Sequence, residues 1–475
     1  MSGVCSLGPA SSLVKSASQD SLVCPRVHYL LCGTFNTIFL YLLAFSPYST
    51  QAGPYSTQAG SGGSGAQRGG EVSLKVHRRI RGEGPHQFIA LDQERRTAYA
   101  TTWAQPATLS SWQVLEQGRG GLKHVNTVPI SATGSYLTVS PPTLPFPPRI
   151  YQAGGPVAQT FAIDERTGGY GEQIQEVIYL PGGKRELNDP KTDKTRVALR
   201  YGSHAVDIDP VRRRAYIPHV GHDTIYVYAF ERDGKLRLLA GIPSHGNFGH
   251  EGPRHSIPSP SGNKLYVVTE HTSYLDVYNV HTSKPYLYHS QRLSIIPPHQ
   301  HATRELYRGD TLRLSADQRR LYVTTRGKTA SQRGWVATFA LESDGSVREK
   351  QGSQKGYGAQ SRYETQTSGG KANAIEVFPA EFWPTSASEA VGTDTTTTET
   401  MIDGAGPGPQ GRDYLVLTDD ELGYVSILEW RDEWNQLREV ASVQLGVDKP
   451  VAGEGRGEIV EGEAATGASH AVWLS

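Results

Sequence analysis

Residues 202–230 read GSHAVDIDPVRRRAYIPHVGHDTIYVYAF. The same plan returns in residues 252–280, GPRHSIPSPSGNKLYVVTEHTSYLDVYNV, and in residues 308–341, RGDTLRLSADQRRLYVTTRGKTASQRGWVATFAL. Each copy opens on small residues, runs through a short alternating strand and reverses. It then continues in an apolar strand of the Ala-Tyr-Ile or Leu-Tyr-Val type, crosses a polar loop and ends in a further strand. The reversals carry turn chemistry at Asp209-Pro210, Ser261-Gly262-Asn263 and Ser315-Ala316-Asp317. A fourth copy, GPHQFIALDQERRTAYATTWAQPATLSSWQV, begins at Gly84. Copies recur about every 50 residues, the period of propeller blades. The pattern predicts an all-β fold, a β-propeller.

Innermost strands are expected near His86, His204, His255, Asp310, Ala372 and His470. The double gap between His86 and His204 leaves room for a degenerate copy over residues 135–164, which brings the count to seven blades. The last innermost strand, GASHAVWLS, has no chain after it. The N-terminal segment, residues 28–41 and 72–79, is therefore expected to complete that blade and remove the exposed edges. The sixth and seventh blades are interrupted. Residues 1–25 read as a disordered leader and residues 26–475 as one propeller. Low-complexity insertions at 46–70, 384–412 and 446–467 have too little apolar content to bury themselves.

Lys+Arg and Asp+Glu both total 47, so no global field draws the chain to nucleic acid or membrane, and neither is expected as a partner. Abundant Gly (52) and scarce Met (2) suit turns and strands better than helical bundles. The three cysteines, Cys5, Cys24 and Cys32, show neither metal spacing nor a disulfide framework, which points to a reducing, cytoplasmic setting. The apolar run 29–45 is short for a membrane span and is interrupted by Gly33, Thr34, Asn36 and Thr37; it reads as two blade strands around a turn. It also starts late for a signal peptide.

In a propeller, residues at equal phase in successive blades face one cavity. At the start of the innermost strands stand His86, His204, Arg254 with His255, Arg308 with Asp310, Lys371 and His470. Glu270 and Arg326 end the second strands of adjacent blades, after YVVT and YVTT, where a buried charge is costly unless paired or facing water. Tyr216, Tyr266 and Tyr322 share a strand position and are expected to pack between blades. Arg96, Arg214 and Arg320 follow the innermost strands and are expected to be solvated. His299 and His301 have HxH spacing but no partner cluster, so no metal is expected. Converging arginines suit a small polycarboxylate or phosphate. A His beside them, and a Glu if burial raises its pKa, suit proton transfer. No GxSxG, P-loop or dinucleotide fingerprint occurs, and no cofactor is expected.

Several segments carry a resemblance: HYLLCGTF from His28, the run from Gly202 to Val280, IIPPHQ through Arg326, TSGGKANAIEV, YLVLTDDELGYVSILEWRDEW and the terminal HAVWLS. With them the chain resembles the fungal 3-carboxy-cis,cis-muconate lactonizing enzymes, seven-bladed propellers related to bacterial 6-phosphogluconolactonase. The resemblance implies a cofactor-independent lactonizing isomerase of aromatic catabolism, in the protocatechuate or β-ketoadipate route. His204 or Glu270 would be the catalytic proton donor. Arg254 and Arg326 would bind substrate carboxylates, with Arg308, Lys371 and His86 nearby. Two departures stand out: Lys371 occupies a position where the family often has His, and the second blade is Pro-rich over residues 141–148. A 6-phosphogluconolactonase-type hydrolase and a non-catalytic binding propeller are the competing readings, and a homo-oligomer is left open.

Overall fold

The computed structural model describes residues 27–47, 72–246, 249–348, 356–383, 411–446 and 466–475. They form seven four-stranded antiparallel sheets. Blade 1 spans residues 86–129, blade 2 136–178, blade 3 207–243, blade 4 253–294, blade 5 307–364 and blade 6 375–444. Blade 7 joins the C-terminal strand Ala468–Trp473 to His28–Thr34, Phe39–Ser46 and Ser73–Arg81. In that closure Leu30 pairs with Trp473, Leu31 with Val472 and Cys32 with Ala471, antiparallel. The apolar run 29–45 is therefore two blade strands, and among the described residues no helix is long and apolar enough to cross a membrane.

The degenerate second blade is present. Tyr136–Val139, Arg149–Gly154 and Val157–Ile163 supply three strands, and the outer strand Tyr170–Ile178 lies beyond the expected stretch. The leader over 1–25 and most of the three insertions lie outside the described residues. At the insertion margins, Ser46 ends one strand, Arg412 begins another, and Gly467 accepts from the Phe35 N–H at 2.9 Å.

Adjacent blades are tied by one repeated device. The second strand of blades 1 to 6 carries a buried tyrosine, and four of these hydroxyls reach the next blade. Tyr99, Tyr151 and Tyr266 donate to the carbonyls of Gly168, Gly234 and Gly345, each at 2.6 Å, and Tyr322 donates to Asp413 Oδ2 at 2.6 Å. The glycines sit in the turn after the third strand; Gly234, at φ +87°, would be strained by any side chain, since a Cβ would lie 2.9 Å from Arg149 Cγ. Tyr216 is also fully buried, as expected of its position. Around these tyrosines the blades interleave aliphatic faces; Val268 and Leu275 of blade 4, for instance, share a cluster with Leu312, Leu321 and Val323 of blade 5. Each such side chain contributes about 1.5–3 kcal/mol by leaving water.

Two arginines expected in solvent are buried instead. Arg214 donates to the carbonyls of His281 (2.5 Å) and Thr282 (2.7 Å). Arg320 pairs with Asp317 at 3.1 Å and with Asp432. The sequence phase placed them correctly at turns, but the neighbouring blade closes over those turns. Arg96 is exposed beside Glu94, as expected.

The innermost strands line an axial channel. Residues at their N-terminal ends, such as Gln87, His204, Arg254 and Lys371, open on one mouth, and residues at their C-terminal ends, such as Leu91, Thr138, Arg313 and Val377, open on the other.

Candidate active site at one mouth of the channel

His204 precedes the innermost strand of blade 3 and is locked by its backbone. Its N–H donates to the Pro218 carbonyl (3.1 Å) and its carbonyl accepts from Ser135 Oγ (2.8 Å). Arg254 lies in the strand Pro253–Pro258, and Glu270 directly follows Lys264–Thr269. Glu270 is fixed by its N–H on the Gly252 carbonyl (2.7 Å) and by the Gly309 N–H on its own carbonyl (2.9 Å). That second contact requires glycine, because a Cβ at Gly309 would lie 2.2 Å from the Thr269 carbonyl. Arg308 and Arg326 face each other in register across two strands of blade 5. Lys371 bonds Asp420 (2.9 Å) and Asn36 (3.1 Å).

These parts converge on one carboxylate. Glu270 Oε2 accepts from Arg254 Nη1 at 2.8 Å, and Oε1 from Arg308 Nη1 at 3.0 Å and Arg326 Nη2 at 3.1 Å. Arg254 Nη2 also meets Asp310 Oδ1 at 2.7 Å. The Glu270 and Arg254 side chains are only 4% and 7% exposed, so the cluster is held away from water. Burial by itself would raise the Glu270 carboxyl. Arg254, Arg326, His204 and Arg308 outweigh it and hold the group well below the usual carboxylate range. The expectation that burial raises Glu270 is therefore reversed: it is an ionised anchor for guanidinium groups. Arg254 is held up by Asp310 and Glu270 against the effect of its burial. His204 is pushed well below its ordinary value by burial and then by Arg254, so the imidazole is neutral, and its Nδ1 has no protein partner.

The cavity above the cluster has a volume of about 540 Å³. Six of the residues singled out in the sequence line it together: His204, Arg254, Glu270, Arg308, Arg326 and Lys371. His86 is not among them. Its Nδ1 bonds the Thr101 carbonyl at 3.1 Å, burial lowers it to about 4, and Gln87 occupies the wall instead. The sequence reading missed Trp103, Arg196, Arg200 and Lys328, which also line the cavity. Arg196 and Arg200 come from the short helix Arg196–Tyr201 in the link between blades 2 and 3, outside the repeat, so blade phase could not find them. Their only sequence signal is a basic pair in a loop. With Lys328 they leave the mouth strongly cationic, and among the described residues Glu270 is its single lining carboxylate. Guanidinium groups pair with planar carboxylates and phosphates through two parallel hydrogen bonds. His299 and His301 lie in a separate short helix, Pro298–Leu306, and among the described residues no three His, Cys, Asp or Glu side chains are placed to hold a metal.

Known proteins share this chain's sequence pattern and ring. The chain is 26% identical over 413 residues to muconate cycloisomerase 1 of Cutaneotrichosporon cutaneum, covering 86% of this chain and 92% of that protein. It is 22% identical over 377 residues to the carboxy-cis,cis-muconate cyclase of Neurospora crassa, covering 76% and 85%. The periplasmic gluconolactonase of Pseudomonas aeruginosa superposes with a TM-score of 0.60 over 95% of this chain and 99% of that one, at 15% identity, and so shares the fold. The profile of the family described as Lactonase, 7-bladed beta-propeller matches residues 53–369, well over half the chain. With seven blades closed by the N-terminal segment and that match along most of the ring, the chain belongs to the seven-bladed lactonase propeller family.

Proposed function

We propose that the cationic mouth closes a muconate-type polycarboxylate to its lactone, with 3-carboxy-cis,cis-muconate as the substrate, as part of aromatic catabolism. The observation that carries this reading is the gathering of Arg254, Arg308 and Arg326 on Glu270 beside a neutral His204 whose Nδ1 has no protein partner. The nucleophile belongs to the substrate. One carboxylate oxygen forms the lactone C–O bond, the electron pair of the attacked double bond moves toward a neighbouring carboxylate, and a proton completes the new C–H bond. One proton is consumed per turnover, and the organic anion loses one negative charge.

The residues supply positioning and charge. Arg326, whose Nε has no protein partner, and Arg308 hold carboxylates and stabilise the enolate-like charge as it develops. Glu270 keeps the three guanidiniums at fixed spacing, so no reorganisation is needed when that charge appears. Being ionised, it is a poor acid, which leaves His204 as the proton donor. A bound trianion beside the imidazole opposes the Arg254 field and raises its pKa toward neutrality, the range in which a general acid works best.

The test is the ultraviolet loss of the conjugated diene on mixing purified protein with 3-carboxy-cis,cis-muconate. Loss that disappears in Arg254→Ala and Arg326→Ala, with both variants folded by circular dichroism, supports the reading. Undiminished turnover in those variants, or no diene loss with the wild-type chain, refutes it.

A further inference from the structure

Below the mouth, the channel holds a line of polar groups that the reaction as described does not use. The His204 and His255 rings are 5.2 Å apart, centre to centre, and His255 is 5.1 Å from the Tyr136 ring. Tyr136 donates its hydroxyl to Asp207 Oδ1 at 2.8 Å, and Asp207 Oδ2 accepts from Ser256 Oγ at 2.8 Å. Asp207 lines the cavity of about 360 Å³ at the opposite mouth. Buried polar groups nearly always find a partner. Yet His204 Nδ1 and both ring nitrogens of His255 have none within the protein, and His470 Nε2 meets only Glu376 Oε2, at 3.7 Å. All three histidines border a small cavity of about 20 Å³ between the two mouths. A space of that size, with several polar partners, holds one water.

We propose that this line is a proton conduit, in which a water in the small cavity joins His204 to His255, a further water carries the proton on from His255, and the hydrogen-bonded group of Tyr136, Asp207 and Ser256 passes it to solvent at the mouth opposite the substrate. The inference rests on the lactonizing reading. That reaction consumes one proton per turnover, and a substrate filling the cationic mouth blocks the short route from solvent to His204. Recharging His204 through the other end removes that obstacle. His255 would act through His204 and not on the substrate, so it is a positioning residue for the proton.

The surrounding charges suit the task. Burial and then Arg254, His204, Arg313 and His470 keep His255 neutral, so one ring nitrogen can accept a proton while the other releases one. Asp310 faces it across the small cavity. Asp207, raised by burial against the hydrogen bonds from Tyr136 and Ser256, titrates at about 6 and can load from solvent near neutrality. Arg313 and Glu376, paired at 2.9 Å, flank that lower end.

The experiment compares wild type with His255→Gln and Asp207→Asn. Gln keeps polarity and bulk but cannot pass a proton between two ring nitrogens. Turnover of 3-carboxy-cis,cis-muconate is followed from pH 5 to 8 in H₂O and D₂O. The expected result is a kcat lower by about 10-fold or more in both variants, the usual scale of lost proton transfer, with KM unchanged and a larger solvent isotope effect. Imidazole added to His255→Ala should restore part of the rate. Wild-type kcat and isotope effect in His255→Gln at pH 8 would overturn the conduit while leaving the lactonizing reading intact. If the wild type itself leaves the diene untouched, that reading fails separately. The conduit is then judged by ring-¹⁵N NMR of the histidine-labelled free protein: magnetisation transfer from a long-lived water to the His204 and His255 nitrogens is expected, and its absence would overturn the proposal.

Discussion

Replacing Glu270 by Gln removes one negative charge from beneath three guanidiniums while keeping the side chain's size. In the native ring that carboxylate meets Arg254 at 2.8 Å, Arg308 at 3.0 Å and Arg326 at 3.1 Å. Only Asp310 remains to balance Arg254. Breaking a buried ion pair by removing one partner costs about 3–5 kcal/mol. In a chain this long that lowers Tm by roughly 5 °C, because the shift per kcal/mol shrinks as unfolding entropy grows with length. The pH dependence has a definite sign. The folded carboxyl is depressed, so its stabilisation is fully present above the unfolded value of about 4.3 and is lost as pH falls through the lower folded value. The Tm gap between wild type and Glu270→Gln should therefore stay constant from pH 8 to 5 and narrow below about 4. Freed guanidiniums should also bind a non-reacting tricarboxylate, tricarballylate, roughly 10-fold more tightly, or about 1.4 kcal/mol, while diene closure falls. Scanning calorimetry with and without tricarballylate measures both effects. A Tm within one degree of wild type at pH 7, or weaker tricarballylate binding in the variant, would refute the anchoring role.

Further expectations follow from single contacts. Arg326→Lys keeps the charge but loses the fork that reaches Glu270 and the Gly370 carbonyl together. Its kcat/KM on the muconate should drop by about 10²-fold in steady-state assays. Gly234→Ala forces a side chain onto a left-handed residue against Arg149 and Phe146, and chemical denaturation should register a loss of about 1–3 kcal/mol. Asp413, raised by burial to about 7 beside Tyr322, contributes stability that is fully present below its unfolded value of about 3.9 and is lost as pH rises through 7. The stability of Asp413→Asn relative to wild type should thus improve by roughly 1 kcal/mol per unit between pH 5 and 7, read from denaturant midpoints. Cys32 is fully buried and its thiol is pushed up to about 12 by burial. Site-resolved mass spectrometry should find it unlabelled by iodoacetamide until the ring unfolds.

By itself the sequence determined the ring, because a blade is a local object. Strand, turn and strand repeat within some 50 residues, and alternation tells which side chains face a neighbouring blade. That was enough to place Tyr266 and Tyr322 between blades and to predict that the N-terminal strands close the C-terminal one. It was also enough to bring His204, Arg254, Glu270, Arg308, Arg326 and Lys371 to one mouth, since equal phase in successive blades means equal height along the axis. Phase says nothing of distance across that axis. Arg254, Arg308 and Arg326 are 16, 38 and 56 residues from Glu270 in the chain, and only the closed ring sets them on the same carboxylate and depresses its pKa. His86 had the right phase but turned its ring onto the Thr101 carbonyl. Arg214 and Arg320 had the look of exposed turns, yet the neighbouring blade buries them. The tertiary structure alone decided these points, because the sign of a buried charge depends on partners that meet through space, and a repeat encodes only position along the chain.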